Sequence, residues 1–202
     1  MDAARKNTSV FLEGDFSRKE RKDRKAGGPT SVSATIDRSG WKRVRLEAFG
    51  KVLRGVSFDG QTDLLHDKSA QSIAIFRSNN IQQSTIDYSD LIYVRKSKVN
   101  RCQLMQNNDI LICMANGSKA LVGKSALFIN VNQEFSFGAF MGIFRCNRTS
   151  MAPFVAYLLQ SNHYREYIDV LLSGSSINNL RPSDIESLEF SVPPPSKQLK
   201  IA

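Results

Sequence analysis

Asn107 to Lys124 reads N-N-D-I-L-I-C-M-A-N-G-S-K-A-L-V-G-K. The run Ile110-Leu111-Ile112-Cys113-Met114-Ala115 has the length and apolar content of a buried strand, and it enters the polar stretch Asn116-Gly117-Ser118-Lys119. A second strand-like run leaves that stretch and continues to Val131. Glycine at 117 permits a tight turn or a close backbone approach. Two apolar strands thus carry a loop that offers one amide, one hydroxyl and one ammonium. Such a loop suits contact with a polar surface better than bond-breaking chemistry.

The overlapping segment Gly117 to Ser125, G-S-K-A-L-V-G-K-S, has the residue types of a phosphate-binding loop but not its spacing. That motif needs four residues between its glycines, and here there are five, Ser118 to Val122. It also needs a helix after the Lys-Ser pair, whose N-terminus faces the phosphate. Ala126-Leu127-Phe128-Ile129-Asn130-Val131 favours a strand instead, which argues against an ATPase.

Outward from this segment, composition bounds the rest. With 202 residues, 41% of them hydrophobic, the chain can bury a real core. The excess of 28 Lys and Arg over 19 Asp and Glu gives a formal charge of +9, which favours a polyanionic partner, nucleic acid ahead of an acidic membrane. No apolar run approaches the roughly 20 residues that span a bilayer, and the polar N-terminus lacks a signal-peptide core. Cys102, Cys113 and Cys146 are widely spaced in apolar contexts, so buried thiols in a reducing cytoplasm are expected. His66 and His163 have no nearby Cys or His, and no metal site is expected.

Residues 1–39 hold the mixed-charge block Arg18-Lys19-Glu20-Arg21-Lys22-Asp23-Arg24-Lys25 followed by Gly, Pro, Ser and Thr, and are expected to form a flexible basic arm. The folded domain is expected over 40–192. Its strand candidates are Trp41 to Leu46, Ile73 to Phe76, Leu91 to Val94, Cys102 to Met105, Asp109 to Ala115, Ala120 to Val131 and Phe135 to Phe144. One amphipathic helix is expected from Pro153, carrying Phe154, Leu158, Tyr164, Ile168 and Leu171 and ending at Ser173-Gly174. Pro182 to Glu186 reads as a helical turn, Leu188 to Val192 as a strand, and 193–202 as the start of another helix. The fold class is therefore α+β: a mixed, strongly twisted sheet or partial barrel with an amphipathic helix packed on it.

The order of these parts resembles the target-recognition half of DNA specificity subunits of type I restriction-modification systems. The resemblance runs from Trp41…Leu46 and the Gly55 region to the strand before Arg77-Ser78-Asn79-Asn80. It continues through Asp109-Ile110-Leu111-Ile112…Gly117-Ser118…Gly123-Lys124, the helix with Tyr157 and Leu158, and Gly174-Ser175. Leu180…Asp184-Ile185 and Val192-Pro193-Pro194…Gln198…Ile201 complete it. It implies a non-catalytic reader of double-stranded DNA that directs methyltransferase and restriction endonuclease subunits to a target half-site. S-adenosylmethionine and ATP would belong to those partner subunits, and this chain would hold no cofactor. Full subunits of that family carry two recognition domains joined by long helices. This chain has one and ends where the spacer helix begins, so a second specificity half is a further expected partner.

Base edges in the major groove are read by Arg on guanine, Asn or Gln on adenine, and Ser or Thr on either. Arg77, Ser78, Asn79, Asn80 and Gln82, just after the strand Ile73 to Phe76, are the first candidates. Asn and Ser also favour plain turns for backbone reasons. Asn116, Ser118 and Lys119 come second. Lys96, Lys98 and Arg101 look like phosphate clamps or a solvated face, and Arg54 with Ser57 flanks Gly55 as a third group. Lys124 fits a structural role equally well, and the loop from Gly174 to Asn179 either contacts DNA or covers an edge. Phe135, Phe137, Phe140 and Phe144 mostly follow strand-core spacing, without the interleaved basic residues of a single-strand platform.

An enzyme is disfavoured. Val192-Pro193-Pro194-Pro195 lacks the amide or acid before the prolines and the aromatic after them that an adenine methyltransferase needs. Asp59 with Asp63, and Asp87 with Asp90, lack companions for nuclease metals. The remaining alternative is a protein-interaction remnant that binds a methyltransferase or a second specificity half without reading DNA.

Overall fold

The computed structural model describes residues 38–129, 133–174 and 178–201, so nearly all of the expected N-terminal arm lies outside the described residues. The strands are β1 (Lys42–Arg45), β2 (Gly50–Arg54), β3 (Leu64–Leu65), β4 (Ser72–Phe76), β5 (Ile81–Gln82), β6 (Thr85–Ile86), β7 (Ile92–Arg95), β8 (Ile110–Cys113), β9 (Ser125–Leu127), β10 (Phe135–Phe137), β11 (Met141–Cys146) and β12 (Glu189–Val192). The helices are α1 (Ala152–Leu158), α2 (Asn162–Ser173), α3 (Pro182–Glu186) and α4 (Pro195–Ile201).

Two four-stranded sheets carry the fold, ordered β2-β11-β8-β9 and β10-β4-β7-β3. Pairing is antiparallel except for β10 on β4, which makes the architecture mixed. The quoted segment explains the layering. All four residues of β8 are buried, and period-two alternation splits them. Ile110 and Ile112 face the helices with Phe154, Leu158, Ile168, Leu172 and Ile185, whereas Leu111 and Cys113 face the other sheet with Phe76, Phe135 and Phe137. Strand β11 alternates in step, Phe144 toward the helices and Ile143 toward the second sheet. Helices, sheet and sheet thus stack in three layers, with no closed barrel among the described residues. The strands β1 and β12 pair antiparallel apart from both sheets.

One ion pair ties β11 to the start of β8 and to the turn at 101–104. Asp109, 2% exposed, receives two hydrogen bonds from Arg145, Nε at 2.8 Å and Nη2 at 2.7 Å. The same guanidinium donates to the carbonyls of Cys102 and Leu104. The sequence offered Asp109 at the head of its strand but not its pairing with Arg145, because an Asp and an Arg 36 residues apart carry no pattern.

Several expected elements differ. Cys102 to Met105 forms no strand: Arg101–Gln103 is a 3-10 turn, and Cys102 is exposed where a buried thiol was expected. Cys113 and Cys146 are buried, and desolvation pushes their thiols up to about 11 and about 12. Among its described residues, the run from Ala120 contributes only β9 as strand, after a 3-10 turn at Lys119–Leu121. Gly123, at φ +86°, lets the chain re-enter the sheet, where a Cβ would sit 3.1 Å from Ile168. Phe135 to Phe144 is two strands in different sheets, joined by a turn at Gly138-Ala139-Phe140. The expected single helix is α1 and α2, broken at Ser161. That hydroxyl donates to the Leu158 carbonyl at 2.7 Å and accepts from the Tyr164 amide at 3.2 Å, closing one helix and capping the next. Within α2, Tyr164, Ile168 and Leu172 are buried at the spacing of one helical face. No helix among the described residues is long and apolar enough to cross a membrane.

Candidate nucleic-acid interface

The strand ends determine which polar loops meet. The amide of Gly138 donates to the carbonyl of Phe76 at 3.0 Å, so the β10–β11 turn is tied to the residue preceding Arg77. The carbonyl of Phe140 accepts from Met114 at 2.9 Å and Ala115 at 3.0 Å, which ties the same turn to the residues preceding Asn116. Gly55 donates to Met141, and Val56 donates to Phe137, which bring the end of β2 with Arg54 to this edge. A Cβ on Gly55 would lie 2.0 Å from the Gly138 carbonyl oxygen, so only glycine fits that crossing. The first and second candidate groups are joined directly: Asn116 Nδ2 donates to Ser78 Oγ at 2.9 Å.

The loop after α2 joins from the other side. Asn116 donates its amide to the carbonyl of Asn178, Asn178 Nδ2 donates to the carbonyl of Gly117 at 3.1 Å, and Lys119 Nζ donates to Ser173 Oγ at 3.3 Å. Asn116 also accepts the amide of Ser118 at 2.9 Å, which shapes the loop. The Gly117–Ser118 tip is exposed. Residues 175–177 of this second loop lie outside the described residues.

Within the first group the side chains have separate fates. Asn80 is 1% exposed. Its oxygen accepts the amide of Arg77 at 2.8 Å, and its nitrogen donates to the carbonyls of Asp87 at 3.0 Å and Ser89 at 2.8 Å. It holds the loop's shape and points inward, a correction to its expected outward role. Arg77 and Asn79 instead converge on one exposed carboxylate: both donate to Asp90 Oδ2, at 2.9 and 2.6 Å. Asp90, at φ +48°, pre-sets two donors of the types that read guanine and adenine. Gln82 is exposed on the β5–β6 hairpin, its amide donating to the carbonyl of Asn79 at 2.8 Å. The tip of that hairpin, Gln83 and Ser84, has φ of 49° and 61°, the left-handed pair that a type I′ turn requires.

Lys96 and Lys98 are not brought to this edge. Register pairs Arg95 with Ser72 at the start of β4, while Arg77 follows its end, on the order of 16 Å away at strand rise. Their ammonium groups are matched locally, Lys96 with Glu134 at 2.9 Å and Lys98 with the buried carboxylate of Asp63 at 3.2 Å. The backbone amide of Asp59 and, after it, Lys98 hold the Asp63 carboxyl below its usual range. Arg101 is exposed on the same 3-10 turn as Gln103, whose side-chain amide donates to the carbonyl of Arg54 at 3.2 Å, so this turn meets the end of β2.

Sequence reasoning missed the bonds of Asp90 to Arg77 and Asn79, the left-handed turn at Gln83–Ser84, and the exposure of Phe140. Phe140 is 72% exposed at this edge, while Phe135, Phe137 and Phe144 are buried. Gly138 within the aromatic run was the one signal that the alternation breaks there.

A family model described as the type I restriction modification DNA specificity domain matches residues 38–202. The chain is 34% identical over 163 residues to the type I restriction enzyme EcoKI specificity subunit of Escherichia coli (strain K12), covering 81% of this chain and 35% of that protein. It is 33% identical over 163 residues to the StySPI specificity subunit of Salmonella potsdam, again covering 81% of this chain and 35% of the relative. The chain thus spans about a third of the length of these relatives. Among solved structures, one describing complex assembly and conformational transition of a type I R-M system superposes with a TM-score of 0.58 at 18% identity, covering 85% of this chain and 38% of that one. The HsdS subunit from Thermoanaerobacter tengcongensis gives 0.55 at 18% identity, covering 84% and 37%. At that identity the likeness concerns the fold.

Proposed function

The chain belongs to the type I restriction-modification DNA specificity domain family, and from that premise we propose that it reads duplex DNA in a sequence-specific way without chemistry of its own. The observation that carries the reading is the junction of two donor-rich loops at one edge of the fold, Arg77–Gln82 and Asn116–Lys119, locked by the Ser78–Asn116 hydrogen bond. Base-edge readout needs such groups held in fixed register, because a misplaced amide forfeits the second bond of a bidentate contact. Arg77, Ser78, Asn79, Gln82, Asn116, Ser118 and Lys119 are the proposed reading set, with Arg54 and Arg101 toward phosphates. Asn80 acts through the loop that it holds. Lys96 and Lys98 contribute to the +9 charge that attracts DNA, and the exposed Lys96–Glu134 pair is weak enough for phosphate to compete.

In this reading the chain works in the cytoplasm with methyltransferase subunits, through them with restriction subunits, and with a second specificity half. Any S-adenosylmethionine and ATP are bound by those partners, and the chain directs them to one half of a target site.

Selection of the full chain against a randomised duplex library at several salt concentrations tests this. Enrichment of a short motif is expected, with log affinity falling against log salt by about 0.9 per phosphate contacted. A salt slope without any enriched motif, or no binding at low salt, would overturn sequence reading by this chain and favour a protein-interaction role.

A further inference from the structure

Phe140 is the largest apolar side chain presented to solvent among the described residues, 72% exposed, in a molecule whose Phe76, Phe128, Phe137 and Phe144 are fully buried. A scattered exposed hydrophobe needs no explanation on its own. Its address makes the difference. The turn that carries it is bonded on one side to Phe76, just before Arg77, and on the other to Met114 and Ala115, just before Asn116. Those two loops are bonded to each other through Ser78 and Asn116. The turn closes on itself through the Met141 amide to the Gly138 carbonyl at 2.8 Å. Phe140 is therefore rooted between the two proposed reading loops on a backbone fastened at three points.

The chemistry of the groove says what such a residue is for. Three of the four bases show the major groove only donors and acceptors, and the C5 methyl of thymine is its one apolar feature. Ser78, Asn79 and Asn116 serve the polar features and gain nothing from a methyl group. Stacking on single-stranded bases would need several aromatics interleaved with cations, and the neighbouring phenylalanines are buried.

We propose that Phe140 reads a pyrimidine C5 methyl group, that of thymine, in the major groove of duplex DNA. This rests on the DNA-reading role proposed above. The test takes the motif selected by the full chain and replaces each thymine in turn by deoxyuridine, which removes only the methyl. Wild-type protein should lose about four-fold in affinity at one position, the worth of burying one methyl-sized apolar group. Phe140→Ala should lose as much on the thymine duplex and nothing further on the uracil one, while Phe140→Leu should retain part of the discrimination. Because the side chain is exposed, thermal unfolding of both variants should match wild type. A selected motif that shows no methyl dependence, or the same dependence in Phe140→Ala, would overturn the inference and leave sequence reading intact. Failure to select any motif would overturn the DNA-reading role and this inference with it.

Discussion

Asn79 and Asn80 are neighbours of one type with opposite duties. Asn80 spends its amide on three backbone groups inside the fold, whereas Asn79 reaches outward to Asp90. Asn80→Ala should therefore lower stability by about 2 kcal/mol, since it strips partners from a buried loop backbone. Asn79→Ala should leave the denaturation midpoint unchanged and weaken binding to the selected duplex about ten-fold, the loss of one amide contact to a base. Chemical denaturation and duplex titration of both variants check this, and a stability loss confined to Asn79→Ala would reverse the assignment. The polar density of Arg77 to Gln82 was legible in the sequence. Which of them faces outward was not, because the burial of Asn80 depends on carbonyls at 87 and 89 that only the folded loop returns to it.

The β5–β6 hairpin turns through Gln83 and Ser84, both left-handed, although neither is a residue that favours that region. Ser84→Gly should raise stability by about 1 kcal/mol, because glycine adopts positive φ without a Cβ penalty. A rise in the urea midpoint at constant m-value is the expected observation, and a fall would show that the turn is not left-handed. Strained turns held by their surroundings recur at binding sites, which fits this exposed tip beside Asn79. The hairpin was illegible because Gln-Gln-Ser-Thr lacks the Asn-Gly signal. The split of Phe135 to Phe144 was partly legible in Gly138, and the break between α1 and α2 in Ser161. Both were masked by apolar spacing that continues across the break, since a residue can be buried on either side of a turn.

Across the whole molecule, hydrogen-bonded carboxylates tune stability at acid pH. Backbone amides of Gln61 and Thr62 lower the Asp59 carboxyl, that of Asp59 lowers Asp63, that of Ser89 lowers Asp87, and Arg165 lowers Asp169. Each folded value lies under the ordinary 3.8, so at low pH the unfolded chain takes up protons first. The stability these groups contribute is full above the unfolded value and is lost as pH falls through the folded ones. Denaturation midpoints should thus drop most steeply below about pH 4. Asp63→Asn should flatten that drop; an unchanged profile in this variant would remove Asp63 from the account. At the same scale, β1 and β12 join the two ends of the folded region in register, Lys42 with Val192 through Arg45 with Glu189. Alternation within Lys42 to Arg45 marks a strand but says nothing of a partner some 150 residues later in the chain.

By itself the sequence determined the class of fold, the β8–β9 hairpin, the apolar run Ile110 to Cys113, the helical face that carries Tyr164 and Ile168, and the family. These are local: period, capping and motif order depend on neighbours within about ten residues. Only the tertiary structure decided that Ser78 meets Asn116, that Lys96 and Lys98 stand at the far end from Arg77, that Asn80 is inside, and that Phe140 is outside. Each of these depends on which strand pairs with which and in what direction. A strand's sequence specifies which of its faces is buried, while the identity of its partner is set by the packing of the whole chain.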